Sequence, residues 1–124
     1  MTAFKMFEKA MTLCGYATAE GVNGRDDMLK KALTLINLVY ADLYYSFVSL
    51  SDEKEVPELK SIHDEIKLPQ RILLDVMPYG VAMYLAQNES DADNQALFAA
   101  LYNRKRVGFV RTDKVKDVLP KVWG

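Results

Sequence analysis

The stretch Arg25–Leu50, RDDMLKKALTLINLVYADLYYSFVSL, decides the fold class. Leu29, Leu33, Ile36, Tyr40, Leu43 and Phe47 recur at spacings of three and four. At roughly 100° per residue they share one stripe, which is the period of a helix and not of a strand. Asp26 and Asp27 favour the start of this helix, where backbone N–H groups concentrate positive charge. Leu35, Leu38 and Tyr45 lie off the main stripe, where an ordinary surface helix is polar. Either a second layer of the domain or a partner subunit must cover them.

Before this helix, Thr2–Cys14 reads as a shorter one. Phe4, Phe7, Met11 and Cys14 keep helical spacing, and Gly15 suits the left-handed stop that ends many helices. Tyr16–Gly24 is a loop punctuated by Gly21, Asn23 and Gly24. After it, Ser51–Lys67 (SDEKEVPELKSIHDEIK) is a long polar crossing segment, with one short helical turn expected around Leu59–Ile66.

Leu68-Pro69 opens the next element, because proline suits a first helical turn. Pro78 falls inside the apolar run Ile72–Leu85, where it removes a hydrogen bond and clashes with the preceding turn. A break is expected just before it, with a second piece over Pro78–Gln87. Gly80, Ala82 and Ala86 form a small-residue face that lets another helix approach closely. Asn88–Asp93 is a polar turn in which Ser90 and Asp93 form a weak capping box. The last helix is expected over Asp91–Val107 with Leu97, Phe98, Leu101 and Tyr102 inward. Arg104, Lys105 and Arg106 then fall in its final turn, and Gly108 ends it. Phe109–Gly124 carries spaced valines and Pro120, and reads as an extended tail or short strand.

The fold expected is therefore all-α: a bundle of about four or five helices over 1–108, then an extended tail over 109–124. The 124 residues suffice for one domain with a real core, since such a chain buries roughly two-thirds of its unfolded surface. A net charge of −1 argues against a molecule built as a whole to wrap nucleic acid. A single cysteine, Cys14, allows no internal disulfide, which fits a reducing compartment. MTAFKMFEKAM lacks the apolar run of a signal peptide, and no stretch approaches a membrane span.

Catalytic and metal chemistry find little footing. His63 is the only histidine and sits in the polar segment between Ile62 and Asp64, without partners at metal-ligand spacing. The acidic turn at Asp91 resembles the start of a calcium loop, but Ala96 stands where glycine is required and Tyr102 where the bidentate glutamate belongs. The expectation is no enzyme activity, no metal and no cofactor. Arg104, Lys105, Arg106, Arg111, Lys114 and Lys116 make a basic segment that Asp113 and Asp117 dilute. They either complement a helix C-terminus or face an acidic partner or DNA. Trp123, large and near the end of the chain, is either tied back onto the domain or offered to a partner.

Several segments, in order, resemble the small head–tail connector (adaptor) proteins of tailed phages and prophages. They are the leading helix with its glycine stop, Ala32-Leu33-Thr34-Leu35-Ile36-Asn37 in the long helix, and the polar crossing. Leu68-Pro69, Tyr79-Gly80-Val81-Ala82 and Tyr102-Asn103-Arg104-Lys105 follow. The resemblance implies a structural subunit that joins a ring beneath the portal protein and extends the DNA channel toward a tail-side neck protein. It implies assembly in the bacterial cytoplasm and a final place in the virion neck. On that reading Leu35, Leu38, Tyr45, Val115, Val118, Leu119 and Trp123 form the partner interface, and Arg104, Lys105 and Arg106 lie toward the channel. The alternatives are another phage interaction module, such as a tail-assembly chaperone, and a small nucleic-acid-binding regulator.

Overall fold

A computed structural model describes residues 1–16, 26–47 and 56–123, with side chains described over 1–16, 28–47 and 56–108. These residues form five helices: α1 (Ala3–Cys14), α2 (Asp26–Phe47), α3 (Gln70–Asp75), α4 (Met77–Asn88) and α5 (Ala92–Trp123). The expected loop over Tyr16–Gly24 and the residues around Leu50 lie, apart from Tyr16, outside the described residues.

α4 is the centre of the bundle and packs against all four other helices. Its sequence explains why. Val76–Asn88 contains no charged residue, and a helix apolar on every side must be covered on every side. Met77, Pro78, Gly80, Val81, Ala82, Leu85 and Ala86 are all buried. α1 contributes Met6, Phe7, Ala10, Met11 and Cys14 to the core, and α2 contributes Ala32, Ile36, Val39, Tyr40 and Leu43. The stripe read on α2 is real at Ile36, Tyr40 and Leu43, whereas Leu29, Leu33 and Phe47 are only partly buried. Ala32 and Val39 complete the face instead.

The helix ends follow local chemistry. The Thr2 hydroxyl accepts from Lys5 N at 3.2 Å and caps α1. Gly15 (φ 76°) ends it, with Gly15 N donating to Thr12 O and Tyr16 N to Met11 O. The break at Pro78 occurs as expected: α3 stops at Asp75, and α4 begins with Pro78 in its first turn.

The crossing segment has no helical turn at Leu59–Ile66. Its backbone is satisfied from elsewhere. The Asn37 side-chain amide accepts from Leu59 N (2.8 Å) and donates to Leu59 O (3.0 Å). Asp64 folds the turn by accepting from Lys60 N and Ser61 N. Ala3 N, Phe4 N and Ile66 N tie it to the start of α1 through Asp64 O, Ile62 O and Met1 O. With those bonds made by Asn37, by the start of α1 and by the Asp64 turn, a local helix is not needed.

α5 differs most from expectation. Its cap is Asp91, not Ser90: Asp91 Oδ1 accepts from Asn94 N at 3.2 Å, while Ser90 takes the left-handed conformation (φ 56°) that turns the chain. The helix then runs through Gly108 to Trp123, so 109–123 is helical, not an extended tail, and Arg104–Arg106 are not in a final turn. A Cβ on Gly108 would meet nothing within 4 Å, and the helix continues past it. A glycine weakens a helix interior by about 1 kcal/mol but does not break it. Phe98 and Tyr102 face the core and Leu101 is half-buried; Leu97, expected inward, is 53% exposed.

Candidate functional site

One polar constellation among the described residues joins α2 to α5. Asp42 faces outward from the second half of α2, and one α5 turn presents Tyr102 and Arg106 to it. Tyr102 Oη donates to Asp42 Oδ2 at 2.5 Å. Arg106 Nη1 donates to both carboxylate oxygens at 3.0 Å, and its guanidinium lies 5.6 Å from the Tyr102 ring centroid. Its Nε is buried with no acceptor among the described residues. Burial, then the bond to Asp42 and that carboxylate's charge, hold the Tyr102 phenol well above its ordinary pKa. Next to it, Lys105 Nζ lies 3.0 Å from Asp75 Oδ1 and 4.9 Å from the Tyr79 ring centroid.

These contacts locate the basic residues picked out from the sequence. Lys105 is engaged with α3 and Arg106 with α2, while Arg104 is exposed. A cation already facing a carboxylate has less field to offer a phosphate. Asp42 and Asp75 were missed in the sequence because they sit on other helices, 64 and 30 residues away from their partners. No spacing rule reaches that far.

A second network pins α1 to α5. Asp91 Oδ2 accepts from Tyr16 Oη and from Asn94 Nδ2, both at 2.8 Å, and Asn94 Nδ2 also donates to Cys14 O at 3.0 Å. These hydrogen bonds hold the Asp91 carboxyl below its ordinary pKa. Burial and the bond to Asp91 push the Tyr16 phenol up to about 12. Cys14 is buried, its thiol donates to Ala82 O at 3.5 Å, and burial followed by the Asp91 charge raises its pKa to about 11. Such a thiol is a core group, not a poised nucleophile.

The three off-stripe residues of α2 do not form one patch. Leu35 is half-buried and lines a cavity of about 250 Å³ with Met11, Met28 and Leu85. Leu38 and Tyr45 are 51% and 62% exposed. Seven residues apart, they share one helical face, and Leu38 borders a shallow depression with Ala41, Val56 and Pro57. Val115, Val118, Leu119 and Trp123 belong to α5, but their side chains lie outside those described. A separate groove of about 450 Å³ between α1 and the α3–α4 corner is lined by Lys5, Lys9, Leu13, Leu74 and Tyr79.

His63 is exposed and stacks on Phe4, ring centroids 6.3 Å apart. Among the described residues no group of three or more histidines, cysteines or carboxylates is arranged to hold a metal ion, and no helix is long and apolar enough to cross a membrane. The fold and these clusters define a small all-α bundle with an apolar core, to which the polar clusters add inter-helix ties. No family model, curated protein or solved structure matches the chain.

Proposed function

We propose that the chain is a structural subunit of a phage or prophage virion: a head–tail connector that joins a ring beneath the portal protein and meets a neck protein on its tail side. The observation that carries this reading is the exposed apolar pair Leu38 and Tyr45 on α2. Two large side chains on one outward helical face gain most when another surface covers them. Further support comes from α5. It lies against α4 with Phe98 and Lys105 beside Tyr79, and Lys105 also reaches Asp75 at the end of α3. By Lys105 it has therefore passed the first residues of α4, yet the helix continues to Trp123. In this reading the second half of α5 meets a partner in assembly. Contact with DNA, if the ring surrounds a channel, falls to Arg104, since Lys105 and Arg106 already face Asp75 and Asp42.

The test is co-sedimentation with a cognate phage portal ring, comparing the full chain with one ending at Gly108. Binding by the full chain supports the proposal, and weaker binding by the short form assigns the anchor to the second half of α5. No binding by either form overturns it.

A further inference from the structure

We draw no further inference here: the strongest candidate, the groove between α1 and the α3–α4 corner lined by Leu13, Leu74 and Tyr79, is an uncovered apolar face, and nothing in the structure shows what covers it.

Discussion

The ring of Tyr102 fills the space that a side chain on Gly80 would need. A Cβ at Gly80 would lie 2.7 Å from Tyr102 Cε1 and 3.0 Å from its Cδ1 and Cζ. The ring cannot easily retreat, because it is buried and its hydroxyl is bonded to Asp42. Alanine at position 80 gains about 1 kcal/mol of helix propensity and meets an overpacking cost of about 1–3 kcal/mol. Gly80→Ala should therefore destabilise by no more than about 2 kcal/mol, and Gly80→Leu by about 3 kcal/mol or more. The urea midpoint measures both. A Gly80→Leu midpoint equal to wild type would mean that α4 and α5 do not meet there.

The Asp42–Tyr102 bond predicts a behaviour at high pH. In the folded chain Tyr102 and Tyr16 both hold their protons above the ordinary value of 10.0, Tyr16 to about 12. The stability these phenols contribute is complete below pH 10. It falls as pH rises, because the unfolded chain loses those protons first. Stability should decline from about pH 10 through pH 12, in the window set by the Tyr16 shift. Tyr102→Phe should flatten the decline and cost about 1.5–3 kcal/mol at neutral pH, the range for a hydrogen bond to a charged group. Tyrosinate absorbance and urea midpoints across that range check it; a decline as steep in Tyr102→Phe as in wild type would contradict the assignment.

Asp91 should matter more to α5 than Ser90. The Asp91 carboxylate caps the helix and receives Tyr16 and Asn94, whereas no such tie is made by the Ser90 hydroxyl among the described residues. Asp91→Ala should lower the thermal midpoint clearly, and Ser90→Ala far less. Because the Asp91 pKa is depressed in the folded state, its contribution is present at neutral pH and disappears as pH falls below the usual carboxylate range. Equal effects of the two substitutions would return the cap to Ser90.

What could be read in advance was local, and what could not was pairing. The α2 helix, the Gly15 stop and the break before Pro78 each follow from a few neighbouring residues and are found, while the α2 stripe is found only at Ile36, Tyr40 and Leu43. The reading of Gly80 as a close-approach position also holds, although its partner Tyr102 was not foreseen. Ser90 reads as the cap in the sequence, but the backbone turn at Ser90 moves the capping carboxylate to its neighbour Asp91. Leu59–Ile66 has helical-looking spacing, but Asn37 and the start of α1 satisfy its backbone instead. Gly108 was read as a stop, yet a single glycine does not break a helix. Of the candidate site, Leu38 and Tyr45 are legible as off-stripe residues that need cover, but their spacing does not say whether the domain or a partner supplies it, and the structure leaves them exposed. The carboxylates that occupy Lys105 and Arg106 are not legible.

Cys14 should resist modification in the native state. Burial lifts its pKa to about 11, so little thiolate forms at neutral pH, and its side chain is covered by the core. Labelling by a thiol-specific disulfide reagent should be slow in buffer and fast in urea. Fast labelling in buffer would place the end of α1 in solvent.

The most direct measurement for the proposed connector role is saturation of a cognate phage portal ring, followed by sedimentation and mass of the bound complex. The wild-type chain should bind to a fixed number of copies per ring. A chain carrying Leu38→Asp and Tyr45→Asp should keep the wild-type helical signal, because both side chains are exposed, and should lose saturable binding. Saturable binding that the double variant retains would contradict the α2 interface, and absence of binding by the wild-type chain would contradict the connector role itself.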